Sequence, residues 1–168
     1  TTGLIGMDEY LAEKFPGWEE VCCKVTKSLN KALTRNLRQY GPLSVTIMCG
    51  ADVQLMTDIA RAAVKKLGCV GDGAVYTIDV NRADPVDPFV SCVRKNPNAA
   101  IIFTGVNATT SPVVLCRLRE VLCSGVLKNC DNQEASYRYA SVFVLCAGTV
   151  NNSNAMGFIS DGSYSIDD

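Results

Sequence analysis

The sequence describes an α/β protein, with helices on both faces of a mainly parallel sheet in a three-layer αβα arrangement. Four short runs rich in apolar and β-branched residues alternate with segments whose apolar residues recur at helical spacing, the order of βαβ units. One run, Ala99 to Thr104 (AAIIFT), is almost wholly apolar, as a strand covered on both faces must be. The stretch from Leu43 to Gly68 sets a strand, a glycine turn and a helix in direct succession.

The chain begins with a helical pattern from Asp8 to Tyr40, broken at Phe15-Pro16-Gly17. In its second part Val21, Val25, Leu29, Ala32, Leu33 and Leu37 share one side, and Lys24, Lys27, Lys31 and Arg35 form the other, read as a solvated face. Gly41-Pro42 stops this helix ahead of the first strand, Ser44 to Cys49. After Gly50, the residues Met56, Ile59, Ala60, Ala63, Val64 and Leu67 make the apolar stripe of a second helix that ends at Gly68. Ala74 to Val80 is the second strand, and Asp87 to Lys95 a short helix closed by Asn96-Pro97-Asn98. Ala99 to Thr104 is the third strand, and Val113 to Val126 carries the stripe Val114, Leu115, Leu118, Val121 and Leu122. A polar segment from Lys128 to Ser136 precedes the fourth strand, Tyr139 to Ala147. One domain over residues 1–155 is expected, followed by a flexible tail at 156–168.

Composition narrows the function classes. A formal net charge of −1 gives no general attraction to nucleic acid or to an anionic membrane, and no apolar stretch is long enough to span a bilayer. The chain contains no histidine, which excludes Ser–His and Cys–His nucleophilic pairs and His-containing zinc sites. None of the nine cysteines stands in a C-x-x-C motif, so neither a zinc ribbon nor a thioredoxin-type site is indicated. Cys49, Cys92, Cys116, Cys123 and Cys146 fall within apolar runs, where a thiol behaves as a small hydrophobe. Mostly free thiols are expected, which favours an intracellular, reducing setting.

The strand, turn and helix at 44–67 has the layout of a phosphate-binding loop, G-x-x-x-x-G-K-S/T, whose glycines let backbone amides close on phosphates and whose lysine neutralises their charge. Counting from Gly50, the spacers are Ala51 to Gln54, followed by Leu55, Met56 and Thr57. The frame keeps its first glycine and its threonine but lacks the second glycine and the lysine. Asp52 adds negative charge where phosphates would sit.

The order of landmarks over residues 8–155 resembles the large subdomain of AAA+ ATPases, a P-loop NTPase-like fold, and in particular the Clp chaperone and torsin branch. Phe15-Pro16-Gly17-Trp18 takes the place of the turn that opens a helix beside the adenine, and the segment LREVLCSGVLKN at 118–129 resembles the branch's LLxxLDxGxLxD. By this resemblance Gly50, Leu55, Met56 and Thr57 form a vestigial phosphate loop, with Met56 in place of the lysine. Thr104 and Gly105 stand where an Asp-Glu pair would hold Mg²⁺ and activate water, and Gly148 stands in the place of the polar sensor. By the same resemblance an AAA+-like domain without the α-helical lid subdomain is expected.

The resemblance therefore implies a pseudo-ATPase: no cofactor, no metal and no catalytic residues, with the fold kept as a protein-interaction or oligomerisation module. The implied partner is a second copy or a competent AAA+ ATPase, with Arg117, Arg119 and Arg138 as candidate interface residues. A looser likeness to the luminal domains of torsin-activating cofactors would place the chain in the lumen of the endoplasmic reticulum or nuclear envelope. Two other readings are carried alongside. One is an active nucleotide hydrolase in which Arg61, Lys65 or Lys66 reaches the phosphates from the helix. The other is a different α/β domain in which Asp79, Asn81 and Asp84 hold a ribose or a metal. Strand order separates them, because the AAA+ reading requires the first and third strands to flank the fourth.

Overall fold

In the computed structural model the residues described are 6–33, 42, 44–67, 75–82, 84–107, 109–147 and 163–165. The chain runs α1 (Met7–Lys14), α2 (Glu19–Leu33), β1 (Ser44–Gly50), α3 (Val53–Leu67), β2 (Val75–Asp79), α4 (Val86–Lys95), β3 (Ala100–Val106) and α5 (Pro112–Cys123). It continues through β4 (Val126–Lys128), β5 (Glu134–Ser136), β6 (Ser141–Ala147) and β7 (Ser163–Ser165). The first break falls where the sequence places it, at Phe15-Pro16-Gly17, because Gly17 takes a φ of 89° that a side chain would resist.

The main sheet has the order β2-β3-β6-β1-β7, and its pairings are parallel. β6, the fourth of the strands expected from the sequence, lies between β1 and β3. Alternation along the strands divides the core in two. Met48, Ile102, Phe143 and Leu145 face α1, α2 and α3, where Leu11, Val21, Val25, Met56, Ile59 and Ala63 cover them. Ile47, Ile101, Phe103, Val142 and Val144 face α4 and α5, where Phe89, Val90, Val93, Leu115 and Leu118 cover them. Apolar residues thus occupy successive positions of β3 and β6 because both faces of these strands are covered.

Three details differ from the sequence reading. The helix expected to run to Val126 ends at Cys123, and the polar segment after it contains a two-stranded antiparallel hairpin, β4 with β5. The Asn129 side chain closes that turn by accepting the amides of Asp131 and Gln133 at 3.0 and 2.9 Å, which lets Asn132 adopt a φ of 61°. The hairpin leads to Tyr137, which is fully buried, packs edge-on against Phe89 at 4.8 Å and donates its hydroxyl to the Glu120 carbonyl at 3.3 Å. Within the segment read as a tail, Ser163–Ser165 forms β7 along β1.

Candidate functional site

In a parallel α/β sheet a ligand sits beyond the carboxyl ends of the strands, at the point where the connections diverge. Here that point is the end of β1 and β6, where Gly50 pairs with Ala147. β1 leads through α3 to the edge strand β2, whereas β7, the next strand after β6, lies on the other side of β1.

The turn read from Gly50 to Thr57 is shorter in the structure than the phosphate-loop frame. Only Ala51 and Asp52 separate β1 from α3, so Leu55, Met56 and Thr57 all lie within the helix. Asp52 caps α3: its carboxylate accepts the Leu55 amide at 2.9 Å and its carbonyl accepts the Met56 amide at 3.1 Å. The amides and positive dipole end that would otherwise draw a phosphate therefore face a carboxylate of the same chain. Met56 is fully buried among the residues of α1, α2 and α3 rather than turned toward the strand ends. The Thr57 hydroxyl donates back to the Val53 carbonyl at 2.9 Å, and Gly50 is the buried last residue of β1.

Thr104 and Gly105, read at the place of the family's acidic pair, fall on a β-bulge. Phe103 pairs with Val144 and Val106 with Cys146, so Thr104 and Gly105 together oppose Leu145 alone. Gly105 has a φ of 92°, and a Cβ there would stand 2.7 Å from both the Asp79 carboxylate and the Asn81 amide nitrogen. That close approach is filled by hydrogen bonds. Asn81 donates its side-chain amide to the Gly105 carbonyl at 2.9 Å, and the Asp79 carboxylate accepts the Asn81 backbone amide at 2.9 Å. The side chains that meet at the strand ends do not fit a magnesium nucleotide: a carboxylate holds the anion place and β3 carries no acid. Gly148, the sensor position, lies outside the described residues.

The cations proposed to reach phosphates are too far along α3. Arg61 is eight residues and Lys65 twelve residues beyond Val53, about 12 and 18 Å along the axis from the end that faces the strand termini. Arg61 instead donates to the Thr77 hydroxyl of β2 at 3.0 Å, and Lys66 stands 5.4 Å from the centre of the Tyr10 ring. Phe15 shares a cleft with Lys65 and with Val75, the first residue of β2, so its turn sits at the opposite end of the sheet from any adenine at the phosphate loop.

Asp79, Asn81 and Asp84, the residues of the ribose or metal reading, are engaged in local structure. Asp84 accepts the Val86 amide at 3.0 Å at the start of α4 and receives Arg117 through two nitrogens, at 3.2 and 2.9 Å. Burial pushes the Asp84 carboxyl up, but the Arg117 hydrogen bonds, the Val86 amide and the Arg117 charge outweigh it and hold the group below its ordinary value. Arg117 also pairs with Glu120 at 2.8 Å, so this candidate interface residue is held by two carboxylates. Arg119 and Arg138 are solvent-exposed.

One juxtaposition is not legible in the sequence. Cys49 and Cys146 are direct partners across β1 and β6, both buried in the core under α4 and α5. The hydrogen bond between the two thiols and the loss of solvent push Cys146 far above the ordinary thiol range. Only the register of two parallel strands could have revealed it. The Asp52 cap, in contrast, carries a readable signal: an aspartate directly before an amphipathic stripe marks a helix start.

No protein-family profile matches the sequence, and no curated protein does. Among solved structures 152 chains match. One of these, the Hsp104–ADP complex of S. cerevisiae, aligns with a TM-score of 0.67 at 13% identity, covering 87% of this chain and 28% of that one. The chain thus spans just over a quarter of the length of this structural neighbour, which is an AAA+ chaperone of the Clp type. At this identity the likeness speaks for architecture, and together with the sheet order it shows that the chain has an AAA+-type α/β fold.

Proposed function

We propose that this chain is a catalytically inactive AAA+-like domain, a pseudo-ATPase, whose fold serves protein interaction or oligomerisation, and that it pairs with or regulates an active AAA+ ATPase. The observation that carries the reading is the start of α3. There the Asp52 carboxylate caps the amides on which a triphosphate would rest, while Met56, in the place of the phosphate-binding lysine, lies in the core. The bulge at Thr104 and Gly105 supports it, because the position that would carry magnesium and a water-activating acid is spent on a backbone turn. Charge stabilisation, metal binding and water activation would each be missing, and each is worth orders of magnitude in rate.

An AAA+ partner is favoured by the fold, since domains of this architecture meet near the strand-end edge, where an arginine is offered in trans. Arg119 and Arg138 are the exposed candidates for such a contact. The likeness to torsin-activating cofactors extends this reading to a luminal partner in the endoplasmic reticulum or nuclear envelope.

The test combines calorimetry and thermal melting with ATP and ADP at millimolar concentration, with and without Mg²⁺, and sedimentation of the chain alone and with an AAA+ ATPase. A ligand that binds only the folded state must raise the melting temperature once its concentration passes Kd. The expected result is no magnesium-dependent shift and no phosphate release, with association of the chain with itself or with the ATPase. Magnesium-dependent binding with turnover would overturn the proposal, as would a strictly monomeric chain that captures no such partner.

A further inference from the structure

A second concave site lies at the other end of the sheet, where the C-terminal end of α1, the outer side of α3 and the start of β2 meet. It is a cleft of about 460 Å³ lined by Lys14, Phe15, Asp58, Arg61, Ala62, Lys65 and Val75. That volume is in the range of small-molecule sites. Three cationic side chains, Lys14, Arg61 and Lys65, line it beside one carboxylate, Asp58, in a chain whose formal net charge is −1. The carboxylate is partly engaged elsewhere: Asp58 accepts the Gln54 side-chain amide at 3.0 Å.

Two of these cations, Arg61 and Lys14, are also held in place. Arg61 donates one guanidinium nitrogen to the Thr77 hydroxyl of β2 at 3.0 Å, and a guanidinium has further donors with which to meet an anion. Lys14 is held over the Tyr10 ring at 5.5 Å and donates to the Tyr10 hydroxyl at 3.3 Å, and Lys66 lies 5.4 Å from the same ring. Among the described residues, none of Lys14, Arg61 and Lys66 is in an ion pair with a carboxylate. Beside this cationic arc, Phe15, Ala62 and Val75 supply an apolar wall.

We propose that this cleft binds a small phosphate monoester bearing an aromatic group, with the phosphate on Arg61, Lys65 and Lys14 and the ring against Phe15. A phosphate dianion suits the charge, the guanidinium fork matches its oxygens, and the half-buried Phe15 offers a face for stacking. The site is separate from the strand ends, requires no magnesium and does not depend on whether the chain is a pseudo-ATPase.

Phenyl phosphate is the probe, titrated against the whole chain by calorimetry and by emission of Trp18, the single tryptophan, whose amide donates to the Phe15 carbonyl at 3.1 Å. Saturable one-to-one binding is expected, tighter than that of inorganic phosphate and undetectable for phenol at matched ionic strength. Arg61→Gln and Lys65→Gln, both at exposed positions, should each raise Kd about tenfold or more, in line with the loss of a charge-assisted contact. Arg82→Gln, at the strand-end side, should leave Kd unchanged. Absence of saturable binding would overturn the proposal, as would equal affinity for inorganic and phenyl phosphate, or a Kd indifferent to both cleft variants while melting curves show them folded.

Discussion

The carboxylate of Asp52 lies 2.9 Å from the amide nitrogen of Leu55, so α3 begins on an anion that the chain supplies itself. In the proposed reading this contact occupies the helix start on which a phosphate would rest. Asp52→Ala should therefore cost about 1 kcal/mol of stability, the usual value of a lost helix cap, read as a lower midpoint in urea unfolding. An unchanged midpoint would mean that the cap carries no weight.

Introducing a lysine at position 56 should not create a nucleotide site. Met56 is fully buried between the sheet and the helices, so Met56→Lys drives an ammonium into an apolar core and should cost more than about 3 kcal/mol. Thermal melting would show a destabilised variant without added affinity for ATP. A stable Met56→Lys protein with new nucleotide binding would show that the side chain can reach the strand ends.

Gly105→Ala tests the bulge. Its φ of 92° and the 2.7 Å approach to Asp79 and Asn81 demand both a strained backbone and displacement of two hydrogen-bonded side chains. Because the crowding atoms are side-chain ends that can move, the expected loss is about 1–3 kcal/mol. Pairing the substitution with Asn81→Ala should recover part of it, since one of the two clashes then disappears together with its hydrogen bond, while that with Asp79 remains.

The Asp84–Arg117 pair should leave a pH signature. The folded carboxyl titrates below its ordinary value of 3.8, so its contribution is fully present above that pH and is lost as pH falls through the folded value. The stability gap between the wild type and Asp84→Asn should accordingly be constant near neutral pH, narrow below pH 3.8 and close at lower pH. With side chains 33% and 42% exposed, the gap should stay below about 1 kcal/mol. A gap that widened on acidification would reverse the assignment.

Thiol labelling at mildly alkaline pH should proceed in an order set by burial and charge. Cys116 and Cys123 are exposed and should react first with iodoacetamide. Cys130 is exposed too, but the hydrogen bond from its thiol to the Asp87 carboxylate raises its pKa and should slow it. Cys22, pushed up to about 11 by burial and by the Glu19 charge, should label only on unfolding, together with Cys146. Peptide mapping over time reads this order, and early labelling of Cys22 would contradict the packing of α2 on the core.

Local periodicity carried most of the architecture. Apolar residues at β and helical spacing marked the four main strands and the helices from Met56 and from Val113, because those patterns follow from which faces must be covered. The turn chemistry of Phe15-Pro16-Gly17 and Asn96-Pro97-Asn98 set boundaries that the fold keeps. The β4–β5 hairpin escaped, since strands of three residues with polar flanks hold no periodicity, and its turn depends on Asn129 bonding to amides further along.

The candidate site was legible only as a list of replacements. The reading that sets Met56, Thr104 and Gly105 at the places of a lysine and two acids comes from the family resemblance of the sequence. The tertiary structure decided what those positions became: a core side chain and a bulge braced by Asn81. It also decided that Arg61 and Lys65 face Phe15 across a cleft at the far end of the sheet, and that Cys49 meets Cys146. Each of these depends on the register of paired strands and the direction in which a helix runs back over them. A sequence fixes such distances only through the packing of residues far apart along the chain.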